Sequence, residues 1–421
     1  MKSYLIPKRY LLVFGTFTLS LILYIDRICI SAAKGPIAHD LELSDPEMGW
    51  ILSIFALGYA LFQTPGGMLA DKYGARRVLS SLVAFWSAFT ALSGLAWNYL
   101  SLFVIRFLFG AGEAGAYPGI ATAVYKWIPN KERGIVNGIN FSGSRVGAAF
   151  ALPTMAWLID AVGWRLSFLT LGAIGFVWAT AWYFWFRDFP EEHQSISDEE
   201  KEFILNHRQQ SSGGPSNKLS MKLLFSSKNM LFAMWQYFCS NFTFFFCLTW
   251  LYPYVKSTYR LDSVEAGLWA SVPLMCGALG NWFSGWLVDR IFSLGKWDLS
   301  RKIPAILGFS LAAIGMLVSV YMTEVVGAIA FLSLAIFGAD MTLSPSWSFC
   351  NDIGKSHSGA VSGTMNMAGN IGSFVTALAF PHLKAWNGDD VSLFFYVGAE
   401  LSVLAVFSWL AMKPQSSLAE Y

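Results

Sequence analysis

The sequence of 421 residues contains few charged residues. Lys, Arg, Asp and Glu together make up 13% of the chain, about half of the roughly 25% that is usual in soluble globular proteins. So few charges cannot cover the water-facing surface of a chain of this length. Hydrophobic residues make up 55% of it. The composition therefore excludes a soluble multidomain protein and indicates a protein embedded in a membrane.

Cysteine and histidine are also scarce, with five residues of each. The cysteines lie in or beside apolar stretches without CxxC spacing, which favours buried thiols over a disulfide framework or a metal site. The net charge of +2 is too small to indicate nucleic acid binding. The sequence contains no nucleotide-binding loop, metal-ligand cluster or nucleophile triad. We therefore expect neither an enzyme nor a cofactor or bound metal.

Apolar stretches of about 20 residues recur along the chain, and this length crosses a bilayer as a helix. A polar segment separates the sixth from the seventh, with acidic residues at 198–202 typical of a short helix and a flexible Ser/Gly/Pro-rich end at 211–215. The sequence predicts an all-α membrane protein with an N-terminal six-helix bundle (1–186), a cytoplasmic linker (187–227) and a C-terminal six-helix bundle (228–421). The twelve predicted spans are roughly 10–31, 47–70, 78–96, 99–121, 135–159, 165–186, 228–254, 263–288, 303–322, 325–348, 358–383 and 391–412.

The distribution of Lys and Arg fixes the orientation of the spans. Twenty-one of these residues lie on one side of the predicted membrane, five on the other and three inside spans. Because cytoplasmic loops carry the excess of positive charge, both termini and the linker are predicted to be cytoplasmic. Short loops and the lack of a glycosylatable outer loop indicate a bacterial inner membrane.

The two halves of the sequence resemble each other. The run Gly67-Met-Leu-Ala-Asp-Lys72 returns 218 residues later as Gly285-Trp-Leu-Val-Asp-Arg290. Glycines 138 and 147 of span five match glycines 363 and 372 of span eleven, at an offset of 225. These offsets indicate a duplicated six-helix unit, which is a transporter architecture. The alternative is that glycine-rich helix packing recurs by chance.

The segment Gly67-Met-Leu-Ala-Asp-Lys-Tyr-Gly-Ala-Arg-Arg77 resembles the signature between spans two and three of the major facilitator superfamily. The resemblance implies two six-helix pseudo-repeats and a conformational latch formed by Gly67, Asp71, Gly74 and Arg76, which favours the outward-facing state. The glycines allow close packing and a tight turn, and Asp71 can meet a helix N-terminus or a basic group. The alternative is a topology anchor with turn glycines.

Further motifs resemble the anion:cation symporters of this superfamily, which include bacterial galactonate and hexuronate permeases and sialin. They are Tyr24-Ile-Asp-Arg27 in span one, Arg106 to Gly119 in span four, Phe141-Ser-Gly143, Gly163-Trp-Arg-Leu-Ser-Phe168 and Trp250-Leu-Tyr-Pro-Tyr254. In those permeases the acids matching Asp26 and Glu113 carry protons, and the matching arginines contact the substrate or couple it to the protons. The resemblance therefore implies proton-coupling roles for Asp26 and Glu113.

Charged residues inside spans need an explanation of their own, because each costs at least ~2.5–3.5 kcal/mol at the bilayer centre. At ~1.5 Å per helical residue, Asp26, Arg27 and Arg106 are predicted to share an outer layer. The same arithmetic places Glu113 and Arg145 at mid-depth and predicts a contact between them, in which Arg145 serves coupling. An ion-pair network that only joins spans one, four and five is the alternative. Asp340 either pairs with a cation or is a second proton site.

Arginine can bind a carboxylate with two hydrogen bonds, so Arg27 and Arg106 are predicted substrate contacts. Substrate hydroxyls need neutral polar partners, and interhelical hydrogen bonds are the alternative role for these. The predicted partners are Tyr24, Tyr59, Gln63, Trp347, Asn366 and Asn370. The resemblance to sugar-acid permeases implies substrate contacts for Trp347 and for either Asn366 or Asn370.

The sequence predicts a monomeric, proton-coupled symporter in the lipid bilayer that imports a small organic anion by alternating access. A sugar acid (an aldonate, hexuronate or aldarate) is the favoured substrate class. Import of an aromatic or dicarboxylic acid is one alternative, and a transport-inactive nutrient sensor is the other.

Overall fold

The computed structural model describes residues 6–209, 221–416 and 418. Every regular element within these ranges is a helix, and they contain no β-strand. The α-helices are α1 (Lys8–Ala32), α2 (Lys34–Asp40), α3 (Asp45–Tyr73), α4 (Ala75–Ser93), α5 (Tyr99–Glu113), α6 (Ala116–Trp127), α7 (Arg133–Trp185), α8 (Asp198–His207), α9 (Met221–Ser226), α10 (Lys228–Thr249), α11 (Leu251–Thr258), α12 (Ser263–Ser293), α13 (Trp297–Ser319), α14 (Val325–Met341), α15 (Leu343–Gly354), α16 (Ser358–Trp386) and α17 (Ser392–Ala411).

Each predicted span falls on one long helix or on two consecutive helices. Spans four, seven and ten are divided into α5 and α6, α10 and α11, and α14 and α15. Helix α7 holds spans five and six, which are separated at Gly163, where φ is 77° and ψ is 162°. A left-handed φ of this kind suits glycine because it lacks a Cβ.

Eight stretches of the described residues are long and apolar enough to cross a membrane. They cover nine of the twelve predicted spans, because the stretch Val325–Trp386 includes two of them. The remaining three, the third, fifth and eighth, carry more polar residues. Polar residues are tolerated in a membrane span when they face protein rather than lipid.

The described residues form two compact units. The first comprises Met1–Asn130, Val146–Gly214 and Gly354–Gly363, and the second comprises Lys131–Arg145, Pro215–Ile353 and Thr364–Tyr421. The first turns of span five thus group with the second unit, and those of span eleven group with the first. The domain boundaries predicted at residues 186 and 228 stay predictions.

In the first unit, glycines bring α3 and α5 into backbone contact. A Cβ added to Gly58 would meet the carbonyl oxygen of Phe107, and one added to Gly110 would meet that of Phe55. Small residues allow membrane helices to approach this closely. The contact sets the polar residues of α5 against the aromatic residues of α3.

In the second unit, α12, α13 and α14 pack through glycines in the same way. A Cβ at Gly280 would meet the carbonyl oxygen of Phe337, and one at Gly308 would meet that of Gly338. An aromatic core that includes Phe242, Phe246 and Phe394 packs nearby. This packing fixes the position of Asp340 at the C-terminal end of α14.

The linker contains the short acidic helix that the sequence predicts. Helix α8 begins after Ser197, whose hydroxyl accepts a hydrogen bond from the Glu200 N–H. The Glu200 carboxylate in turn accepts hydrogen bonds from the backbone N–H groups of Lys8 and Arg9, at 2.9 and 3.0 Å. Because the first N–H groups of a helix lack intrahelical partners, Glu200 caps α1. The predicted flexible end at 211–215 lies outside the described residues.

Candidate substrate and proton site

Two acids and two arginines lie close together in the first unit. Arg27 of α1 donates a hydrogen bond from Nε to Glu113 Oε2 of α5 at 2.6 Å, and the Glu113 side chain is fully buried. The guanidinium carbon of Arg27 lies 4.1 Å from the ring centre of Tyr59 and 5.2 Å from that of Tyr24. The faces of these aromatic rings stabilise the positive charge of Arg27 without hydrogen bonds. The Arg27 Nη2 and Glu113 Oε1 atoms have no hydrogen-bond partner among the described residues.

Asp26 and Arg106 complete this cluster. Their side chains are 1% and 2% exposed, and their charges interact with each other and with Glu113. Neither carboxylate oxygen of Asp26 has a hydrogen-bond partner in the part of the chain that the structure describes, although the indole of Trp86 faces it. Arg106 lies 4.4 Å from the ring centre of Phe109. When all four groups are ionised, the two negative and two positive charges of the cluster cancel.

The predicted contact between Glu113 and Arg145 is wrong. Glu113 pairs with Arg27, whereas Arg145 pairs with Asp340. The depth arithmetic placed Arg27 nearer the outer end of its span than Glu113. That calculation used the positions of Cα atoms along each helix. The long Arg27 side chain spans the predicted difference in depth between Arg27 and Glu113.

The three neutral side chains predicted in spans one and two all lie in the first unit. Tyr24 is half-buried and Tyr59 is buried, and both face the Arg27 guanidinium. Gln63 is fully buried, and its amide oxygen and nitrogen both lack hydrogen-bond partners within the described residues. Buried polar atoms are almost always hydrogen-bonded. The Gln63 amide is therefore a candidate for binding a polar ligand.

The second unit contains a separate acid–arginine pair. Arg145 of α7 donates from Nε to Asp340 Oδ2 at 2.7 Å and from Nη2 to Asp340 Oδ1 at 2.5 Å. The guanidinium carbon lies 3.6 Å from the ring centre of Phe244. The side chains are 5% and 1% exposed. Of the two roles that the sequence left open for Asp340, the structure thus provides the cation partner.

The other predicted contacts of the second unit lie on α15 and α16. The Trp347 indole donates to the Tyr237 hydroxyl at 2.9 Å and packs 5.3 Å from the ring of Phe141. Asn366 is buried, and Asn370 donates to the Asn366 carbonyl at 2.8 Å. The Asn370 amide is therefore partly used within its own helix.

Sequence reasoning missed several residues that contact these sites, among them Tyr237 and Phe55. Tyr237 holds the Trp347 indole, and Phe55 lies within about 5.5 Å of both arginines of the first unit. A signal for Tyr237 was present, because a tyrosine inside an apolar span needs a hydrogen-bond partner for its hydroxyl. Phe55 gave no comparable signal, since one phenylalanine among 35 in the sequence is not distinctive.

Asp71 caps a helix. Its carboxylate accepts hydrogen bonds from the N–H groups of Gly359 and Ala360 at 2.9 and 2.7 Å, and from the Thr122 hydroxyl at 3.0 Å. Gly359 and Ala360 lie at the start of α16, where the helix dipole favours a negative charge. A Cβ at Gly67 would meet the Gly359 carbonyl oxygen. These two residues of the predicted latch thus hold α3 against α16.

The second repeat contains the same arrangement. Asp289 accepts hydrogen bonds from Gly134 and Ile135 at the start of α7, both at 2.7 Å. A Cβ at Gly285 would meet the Gly134 carbonyl oxygen. The two aspartates are 218 residues apart, and the two pairs of capped N–H groups are 225 apart. These are the offsets of the sequence repeat, so the duplication includes this contact.

Gly74 and Arg76 make a different contact. Gly74 has a φ of 85°, and a Cβ there would overlap the Asp188 carboxylate. That carboxylate accepts a hydrogen bond from the Arg76 N–H at 3.2 Å, and Arg76 Nε donates to the Tyr183 carbonyl at 2.8 Å. The two residues therefore join the start of α4 to the end of α7, apart from Asp71.

Gly67→Ala is expected to disfavour the α3–α16 contact, because the atom it meets is a backbone oxygen that cannot rotate away. Overpacking of this kind costs about 1–3 kcal/mol. We expect a lower unfolding midpoint in detergent and slower uptake. Gly267→Ala is the matched control, because a Cβ at Gly267 meets nothing within 4 Å. Equal midpoints for the two variants would contradict the prediction.

The sequence matches a family profile and several curated proteins. The sequence profile described as Major Facilitator Superfamily matches residues 16–377. The probable galactarate/D-glucarate transporter GarP of Escherichia coli (strain K12) is 35% identical over 427 residues, covering 96% of this chain and 94% of that protein. The probable sulfoacetate transporter SauU of Cupriavidus necator is 32% identical over 388 residues, covering 92% and 90%.

The proton:xylose symporter XylE, solved with 6-bromo-6-deoxy-D-glucose, has a similar structure, with a TM-score of 0.73 over 94% of both chains. At 14% identity this similarity concerns the fold alone. The profile match covers most of the chain, and both sequence relatives align over nearly their whole length. The chain belongs to the major facilitator superfamily.

Proposed function

We propose that this protein is a proton-coupled symporter that imports an organic anion, with a sugar acid as the substrate class. The observation that carries the proposal is the contact between the half-buried Arg27 and the fully buried Glu113. The proposal includes an inner-membrane location, cytoplasmic termini and a monomeric state.

The contact suggests how proton and anion are coupled. Ionised Glu113 occupies Arg27, so a substrate carboxylate competes with it for the guanidinium. A proton on Glu113 removes that competitor and leaves the cluster with one uncompensated positive charge in a largely buried site, which is unfavourable. An incoming carboxylate supplies the missing charge and can form two hydrogen bonds to the guanidinium. Proton and anion therefore favour each other's binding.

Asp26 and Arg106 provide a second acid and a second arginine, so that a second proton can accompany the anion. Import of an anion into a negative interior is opposed by about 2.3 kcal/mol per charge for every 100 mV. One proton cancels the charge of a monoanion, and a second makes the inward step electrically favourable. Two buried acids beside two arginines match this requirement.

The relatives support the substrate class. The name of the E. coli relative refers to galactarate and D-glucarate, which are hydroxylated acids. Their hydroxyl groups need neutral polar partners, and the unsatisfied Gln63 amide is such a group in the first unit.

A proton-movement assay in proteoliposomes tests the proposal. We would screen gluconate, galactonate, glucuronate, galacturonate, glucarate, galactarate, tartrate, phthalate and hydroxyphenylacetate. We expect the external medium to become more alkaline with one or a few sugar acids. In Arg106→Gln the KM for that acid should rise about tenfold or more, because hydrogen bonds to charged groups contribute about 1.5–3 kcal/mol. Counterflow without proton movement would refute proton coupling.

A small sulfonated acid is the second candidate substrate. It is favoured by the 32% identity to a protein named as a probable sulfoacetate transporter. Sulfoacetate joins the same screen. Proton movement with sulfoacetate and with none of the sugar acids would assign the protein to this second class.

A further inference from the structure

We propose that Asp340 is a further proton site of the transport cycle and that Arg145 is the carboxylate-binding group released when Asp340 is protonated. This inference rests on the proposed symport function and extends it to the second unit. The ligand of the site is a carboxylate of the transported anion.

The geometry of the pair allows Arg145 to bind either Asp340 or a carboxylate of the substrate. Both Asp340 oxygens accept hydrogen bonds from Arg145, and Asn281 Nδ2 donates a weaker bond to Oδ2 at 3.3 Å. This is the two-pronged geometry with which arginine also binds a free carboxylate. A protonated Asp340 carries no charge, and the proton occupies one of the two oxygens that the guanidinium uses. Protonation therefore weakens both prongs of the pair.

Within the described ranges, the groups recorded next to the Asp340 carboxylate include no second carboxylate. The groups that face it from the packed elements are Arg145 of α7, Asn281 and Gly277 of α12, and Cys247 of α10. None of the others is an anion at neutral pH. A Cβ at Gly277 would overlap Asp340 Oδ2, so α12 leaves room for the carboxylate. Once Asp340 is neutral, the guanidinium keeps its charge but loses the carboxylate that it binds here, so a carboxylate of the substrate can take that place.

The two halves of the sequence place an acid in a similar position. The run Phe109-Gly-Ala111 ends two residues before Glu113 at the end of α5, and Phe337-Gly-Ala339 ends one residue before Asp340 near the end of α14. In both spans a second helix follows directly. Each acid binds one arginine, and each arginine lies over an aromatic ring. The resemblance indicates that the second pair performs the same kind of exchange.

A third proton, carried by Asp340, would make import of a dicarboxylate electrically favourable. A dicarboxylate such as galactarate carries two negative charges, and the protons of Asp26 and Glu113 only neutralise it. A third proton makes its import electrically favourable, by about 2.3 kcal/mol per 100 mV. The proton enters Asp340 from water on the outer side and leaves to water on the inner side with the anion. No covalent bond of the substrate changes.

Reversal-potential measurements on the full-length protein in proteoliposomes test the proposal, with galactarate as the probe. Wild type and Asp340→Asn are compared, and we expect the variant to carry one proton fewer per anion. Glu324→Gln is the matched control, because this exposed acid precedes the same helix, and its ratio should equal that of wild type. An unchanged ratio in Asp340→Asn would overturn the proposal.

Two further measurements give an answer even if a single variant misfolds or if the proposed symport function is wrong. The double variant Arg145→Gln/Asp340→Asn keeps a neutral hydrogen-bonded pair, and it should show the lower ratio together with a raised KM. Infrared difference spectra on acidification need no transport. We expect a protonated-carboxyl signal in wild type and Glu324→Gln that is missing in Asp340→Asn. Identical spectra in all three would refute the inference even if wild type moves protons through Glu113.

Discussion

Glu113→Gln is expected to lose proton-driven accumulation of the anion while keeping anion exchange. Glutamine resembles the protonated acid in shape and charge, so Arg27 stays available to the substrate at every pH. A difference of one pH unit contributes 1.36 kcal/mol, or a factor of ten, per coupled proton. Accumulation across a one-unit gradient should therefore fall about tenfold, whereas counterflow with the same anion on both sides should continue.

The measurement compares accumulation at several imposed pH gradients in the same proteoliposomes. Glu400→Gln is the control, because Glu400 is an exposed acid within a spanning helix, α17, and should not change accumulation. If Glu113→Gln accumulates the anion as wild type does, Glu113 is not a proton carrier. Its contact with Arg27 would then only join span one to span four.

Asp352→Ala is expected to destabilise the second unit more than the removal of a surface acid. Asp352 lies between two fully buried arginines, with Arg301 Nε at 2.7 Å and Arg133 Nη1 at 3.4 Å. It also accepts a hydrogen bond from the Trp297 indole at 2.9 Å. Removing one partner of a buried ion pair costs about 3–5 kcal/mol, because the remaining charge stays buried. The unfolding midpoint in detergent should fall accordingly.

Asp298→Ala is the matched control for this prediction. Asp298 pairs with Lys302 at 3.0 Å across one helical turn, and 41% of its side chain is exposed. Exposed pairs at this spacing contribute only about 0.3–0.5 kcal/mol. Equal midpoints for Asp352→Ala and Asp298→Ala would mean that the two arginines are stabilised by other neighbours.

The helical architecture follows from the sequence because a bilayer leaves few choices. Backbone groups in lipid must be satisfied within a helix or a closed barrel, and the continuous apolar runs indicate helices. The repeat also contained a tertiary contact. Asp71 and Asp289, and the N–H groups that each one caps, are separated by the offsets that the glycine patterns give. Duplication preserves contacts as well as helices.

The partners of the intramembrane charges were decided by the tertiary structure alone. Sequence position gives the depth of a residue in its span, but it does not give the direction in which the side chain points around the helix or how far it reaches. The sequence predicts similar depths for Arg145 and Glu113, yet Arg145 pairs with Asp340 and Glu113 pairs with Arg27. The sequence determined which spans carry charge. The orientation of each helix about its own axis, and the close packing of helices at glycines, decided which charged side chains are in contact.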